Sequence, residues 1–253
     1  IFALVFHLVS NWIQRMVVSG RAALWFVWVT FPGTVLHELG HAIFCLPFGH
    51  RIERMQLFKP RTEGPIGEVV HSHRVGNPWA WVGHFFIGTG PLWLGGVTIG
   101  VLGYWLLGFK WRLVGQLNSG VSLDWGGVWV IIADSAVETL IALFHFSIWK
   151  RWSSWLFLYL ATSIGMHMTL SRADWKDTLR GFCVLAVGVW LVVLGIRWAV
   201  PGIEVWGAKG MALLIPFYVV LAFAACLCLG FGLMLWGVCA LFCVQREGGK
   251  EPA

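Results

Sequence analysis

The chain has 253 residues, of which 58% are hydrophobic and only 12% charged, with a mean hydropathy of +0.75. Soluble domains carry about 25% charged residues, so this composition excludes a water-soluble globular protein and indicates a polytopic membrane protein. The net charge of +6 is spread over several loops, which fits control of topology and attraction to a lipid surface and excludes nucleic-acid binding. Many of the 18 tryptophans lie at the ends of apolar runs (Trp79, Trp81, Trp105, Trp111, Trp149, Trp152), where an aromatic belt sits at headgroup level. The six cysteines all fall in apolar segments without C-x-x-C spacing, so they read as small hydrophobic packing residues.

Residues 1–19 are apolar and then mixed, either the end of a membrane helix or an interfacial one. Residues 22–49 are long enough to span a bilayer. They contain Pro32-Gly33, where a proline removes a backbone donor and kinks a helix, and then His37-Glu38-Leu39-Gly40-His41. On a helix His37 and His41 project from one face and can hold a zinc ion, and Glu38, one step round, can reach the water it binds. Ionisable groups inside an apolar helix cost roughly 2.5 kcal/mol or more each and are functional by default. Gly40, without a side chain, admits the close approach of another segment.

Residues 50–78 are polar. Residues 52–58 and 67–74 have strand character, and Pro60 to Gly67 supply turn residues, so the pattern predicts a β-hairpin beside the membrane. Its free edge is suited to pairing with an extended substrate. His71 and His73 share a strand face and read as a solvated pair, with metal binding as the sharper alternative. The next span, 79–108, is interrupted by Gly88-Thr89-Gly90-Pro91, small residues that let helices pack closely. His84, near its start, reads as interfacial. Residues 109–126 form a polar loop. Residues 127–149 carry Asp134, Glu138 and His145 and either span or lie in the interface. Residues 152–170 span, and a further span runs from about 178 to 200. Ser171-x-x-Asp174 has capping-box spacing, so Asp174 is either a helix N-terminal residue or a metal ligand. Residues 211–244 exceed one perpendicular span, which implies a tilt, a protrusion or a break at Gly230-Phe231-Gly232.

A catalytic zinc takes three protein ligands and leaves one position open. His37 and His41 supply two, and Glu38 the general base. For the third, Asp174, His167, Asp134, Glu138 and Asp124 lie near or in apolar runs. If 109–150 stays on one side of the membrane, span 152–170 delivers Asp174 to the hairpin side; if 127–149 crosses, Asp134 becomes the better ligand.

The motif in an apolar helix followed by a hairpin resembles the site-2 protease family of intramembrane zinc metalloproteases. Gly67-Glu68-Val69-Val70-His71, Phe85-Phe86-Ile87-Gly88 with Pro91, and His167-Met168 with Ser171-x-x-Asp174 look like an uncharacterised bacterial branch of metalloprotease-like proteins. The resemblance covers roughly residues 30–180. It implies zinc held by His37, His41 and Asp174, with Glu38 as base, and hydrolysis of peptide bonds in membrane-embedded or membrane-adjacent protein substrates. It also implies a place in the bacterial cytoplasmic (inner) membrane. The chain departs from the family in lacking an N-x-x-P-x-x-x-L-D-G motif; Leu123-Asp124-Trp125-Gly126 is a partial echo without the proline.

The expected architecture is an all-α polytopic membrane protein of about five to six transmembrane helices with a small membrane-adjacent β-hairpin. It forms one integral membrane domain over 1–253, with a metalloprotease-like core at 22–180, the hairpin insertion at 50–78 and C-terminal transmembrane helices at 178–244. Expected partners are the bilayer and a membrane protein or peptide substrate. Two further function classes are consistent with the residues. One is a transporter or channel for protons or metal ions, using the same ionisable groups as a polar pathway. The other is a catalytically inactive membrane assembly factor.

Overall fold

The computed structural model describes residues 4–5, 8–9, 12, 21–61, 65–108, 141, 148–199 and 215–247. The expectations for Asp124, Asp134 and Glu138, and for most of 109–150, lie outside the described residues. The chain is mostly helical with a small two-stranded antiparallel sheet. In order it runs α1 (Arg21–Val29), α2 (Phe31–Cys45), β1 (Arg51–Gln56), β2 (Glu68–Ser72), α3 (Pro78–Leu102), α4 (Trp152–His167), α5 (Arg172–Ala199) and α6 (Ile215–Glu247).

Two of these helical stretches, Pro78–Leu107 and Asp174–Gly195, are long and apolar enough to cross a membrane, and the apolar segment Tyr218–Met234 is shorter. The two long ones differ in their surroundings. Helix α3 buries Gly83, Gly88, Gly90 and Ile99 against its neighbours. Helix α5 instead exposes Leu179, Phe182, Val187, Trp190 and Leu191, an uncovered surface of large apolar side chains.

The predicted hairpin is present. Its register pairs Ile52 with His71, Arg54 with Val70 and Gln56 with Glu68, and it shifts between Ile52 and Arg54. An Arg54–Glu68 ion pair of 2.7 Å spans the two strands on the exposed side. The helix expected across 22–49 is two helices, because Pro32 sits in the first turn of α2 instead of within a continuous helix. A proline is tolerated there because the first N–H groups of a helix lack partners anyway. Helix α4 closes the break. Tyr159 Oη–H donates to Val29 O (2.8 Å), Ser163 Oγ–H to Thr30 O (3.2 Å), and Gly33 N–H to Ser163 Oγ (3.1 Å).

The interruption expected in 79–108 is absent, and of the alternatives for 211–244 the break does not occur. Helix α3 runs through Gly88 to Pro91 and continues as a π-helical turn, Gly103–Leu107; α6 runs unbroken through Gly230 to Gly232. The core lies among α3, α4 and α6, where Ile99, Phe157, Ala161, Met168, Leu170 and Phe223 are nearly or fully buried. Among the cysteines whose side chains are described, Cys45 and Cys228 are buried and Cys183 and Cys226 exposed, all four as free thiols.

Candidate metal centre

Helix α3 is the scaffold of the site, and glycine is the reason. A side chain at Gly40 would place its Cβ 2.7 Å from Gly90 C and Pro91 N, so α2 and α3 touch backbone to backbone. Two residues earlier on α3, a Cβ at Gly88 would meet the Thr178 hydroxyl and lie 3.1 Å from Asp174 O, so α5 presses on the other flank of the same stretch. Small residues on α3 thus bring the first turn of α5 beside the histidine face of α2.

His37, His41 and Asp174 meet there, with one donor atom from each within 4.8 Å of the others. His41 Nε2 lies 3.1 Å from His37 Nε2 and 3.8 Å from Asp174 Oδ1. Each Nδ1–H is committed elsewhere: His37 to His167 O at 2.6 Å and His41 to Ile87 O at 2.8 Å. A backbone carbonyl on Nδ1 fixes the tautomer and turns the Nε2 lone pair inward, as in metal-ligating histidines. Ligands on a tetrahedral zinc stand about 3.3 Å apart for bonds of about 2.05 Å, close to the spacing found. The donor set, two neutral imidazoles and one carboxylate, fits a zinc that keeps an open position.

Asp174 forms the expected helix cap and keeps one oxygen toward the histidines. Its Oδ2 accepts from Ser171 N–H (2.7 Å), and its own N–H donates to Ser171 Oγ (3.2 Å), a reciprocal capping box. The other oxygen, Oδ1, is left to face His41. His167, the alternative ligand on α4, does not join the trio. Its Nδ1–H donates to Ser163 O (3.0 Å), and its carbonyl holds His37. Its role is orientation, because the helix ends there and exposes that carbonyl.

The trio opens into a cleft of about 480 Å³, whose other walls are Glu38, Ile87, Gly88 and the β2 segment from Gly67 to His71. Glu38 is 7% exposed, and its carboxylate lies against Gly67, where a Cβ would come within 2.7 Å of Oε1. The strand edge and the carboxylate therefore face the same space.

His71, His73 and His84 are half-buried and do not stand as a separate pair and a lone residue. They gather with His50, a residue to which the sequence drew no attention. His50 is buried, and its ring centroid lies 4.9 Å from those of His71 and His73 and 5.1 Å from that of His84. Burial, with the His50 and His84 imidazoles adding to it, pushes His71 down to about 4, and burial lowers His50 as well. His71 is thus neutral at neutral pH. Tyr159, Ser163 and His50 are the contributors that sequence reasoning missed. The spacing of Tyr159, Ser163 and His167, four residues each, was a visible helical stripe.

Comparison with protein-family models, with curated proteins and with solved structures gives no match to this chain.

Proposed function

We propose that the chain is an intramembrane zinc metalloprotease of the site-2 protease type, hydrolysing peptide bonds of membrane-embedded or membrane-adjacent protein substrates. The observation that carries this reading is the convergence of His37 and His41 on α2 with Asp174 on α5, beside the Glu38 carboxylate, in one cleft. The apolar surface of α5 supports a lipid setting, because a water-soluble core helix of that composition would be covered. On this reading the broken α1–α2 pair also lies at membrane depth, where freed backbone groups need protein partners, and Tyr159 and Ser163 supply them.

Zinc at the trio would lower the pKa of a water toward about 7 and polarise the scissile carbonyl. The chain's own residues do the rest. His37 and His41 present Nε2 with their tautomers set by the His167 and Ile87 carbonyls. Glu38 takes the proton from the attacking water and returns it to the leaving amine. The edge of β2, running along the cleft, holds an extended segment by strand addition and lays its carbonyl near Glu38.

The test is the zinc content of the purified, detergent-solubilised protein, wild type beside Asp174→Ala. The expected outcome is tightly held zinc that the substitution weakens by a factor of ten or more. Unchanged affinity would remove Asp174 from the ligand set, and a wild type that takes up no zinc at all would end the protease reading.

A further inference from the structure

We propose that His50, His73 and His84 form a second metal site, for a zinc-like divalent cation, which clips the hairpin to α3 beside the catalytic cleft. One ring nitrogen from each of the three lies within 4.8 Å of the others. The residues come from three places: the turn after α2, the chain just beyond β2, and the second turn of α3.

Two observations separate this group from a stack of packed imidazoles. The first is the tautomer of His50. Its Nε2–H donates to Ala80 O at 2.9 Å, so Nδ1 carries the lone pair and faces the other histidines. That is the arrangement that prepares a histidine as a ligand. The second is His84 Nδ1, a buried nitrogen without a hydrogen-bond partner among the described residues. A buried polar atom left unsatisfied costs stability unless something outside the chain completes it. A cation would complete His84 Nδ1 and take the place of the His71 nitrogen on His50 Nδ1. Three neutral imidazoles select zinc and its neighbours copper, nickel and cobalt over magnesium or calcium, which prefer oxygen.

The site does not depend on the catalytic trio, but it adjoins it. His71 Nδ1 lies 3.0 Å from His50 Nδ1, and both His71 and His84 line the cleft that His37 and His41 enter. A cation on His50 Nδ1 takes the lone pair that His71 otherwise faces. Filling the site therefore fixes the strand edge proposed to receive substrate, joining β2 to the start of α3.

The experiment is a titration of the full, detergent-solubilised chain with cobalt(II), read by visible absorbance, with bound metal counted by mass spectrometry. Three proteins are compared: wild type, His73→Gln, and the double variant His37→Ala/His41→Ala. His73 is chosen because it lies beyond the last residue of β2, outside the strand pairing. The expected outcome is about two cobalt ions on wild type and about one on each of the others, with His73→Gln retaining the trio's ion. A His73→Gln protein that holds as many cobalt ions as wild type, with unchanged affinity, overturns the proposal. So does a wild type that binds only one ion, lost with His37 and His41 and indifferent to His73. If the trio binds nothing, wild type takes one ion that His73→Gln abolishes and the double variant keeps, so the two readings fail separately. Should the double variant not fold, the loss of one ion from wild type to His73→Gln decides alone.

Discussion

The two histidine groups on either side of the cleft are built in opposite ways. His37 and His41 stand one turn apart on a single helix, and their Nδ1 atoms are both tied to backbone carbonyls, so the geometry is set before any ligand arrives. His50, His73 and His84 come from three separate segments, and one of their ring nitrogens has no hydrogen-bond partner among the described residues. The first arrangement is preorganised, as chemistry at a metal requires. The second draws its cohesion from whatever binds it, as structural sites do. On the proposed readings, the difference separates a centre that acts on a substrate from one that holds a strand in place.

The largest effect that sharpens this contrast comes from Glu38→Gln. The amide is isosteric but cannot take a proton. Hydrolysis of a membrane peptide should fall by about 10²- to 10⁴-fold, the usual worth of a general base, while zinc content stays at the wild-type level. Quenched-fluorescence cleavage and metal analysis on one preparation check both. A loss of metal with the activity would mean that Glu38 is a ligand and not a base, and the contrast would fail on its preorganised side.

The contrast also explains what could be read in advance. Whatever depends on neighbours along the chain was legible. His37 and His41 follow from helical period, the hairpin from alternation and turn residues, and the capping box at Ser171 and Asp174 from a three-residue spacing. The approach of Asp174 to His41 was left among alternatives, because it depends on α3 carrying glycine at both contact points, a matter of packing between helices distant in sequence. The gathering of His50 with His73 and His84 had no periodicity at all, since residues in a turn, beyond a strand end and on a helix share no register. The break at Thr30 was half legible. Pro32 announced a disturbance, but the partners that make it a clean break are on α4, 130 residues or so away.

A smaller effect tests whether the packing of α3 serves one group and not the other. Gly40→Ala would put a Cβ at 2.7 Å from Gly90 C and Pro91 N, both backbone atoms that cannot turn aside. Helices α2 and α3 must separate, at a cost of about 1–3 kcal/mol for overpacking. Ile87, whose carbonyl orients His41, is on α3, so zinc affinity at the trio should fall with stability. Thermal unfolding and zinc competition measure the two. Cobalt at the His50 group should be nearly unaffected, because its ligands approach α3 at the hairpin end. An equal loss at both would show one connected metal region instead of two.

The smallest effect concerns the helix break. Ser163→Ala removes the hydroxyl that accepts from Gly33 N–H and donates to Thr30 O. Much of the function of that hydroxyl is duplicated. Gly33 N–H also lies 3.1 Å from Thr30 O, and Tyr159 still holds Val29 O. The carbonyl of residue 163 that receives His167 Nδ1–H belongs to the backbone and survives the change. The expected cost is therefore about 1 kcal/mol of stability, that of one side-chain hydrogen bond, with zinc affinity at the trio within a few-fold of wild type. A tenfold or greater loss of zinc, measured by competition with a chelator, would reverse the assignment of causes. It would mean that the position of His37 is set by the break between α1 and α2, and that the glycine contacts with α3 only follow it.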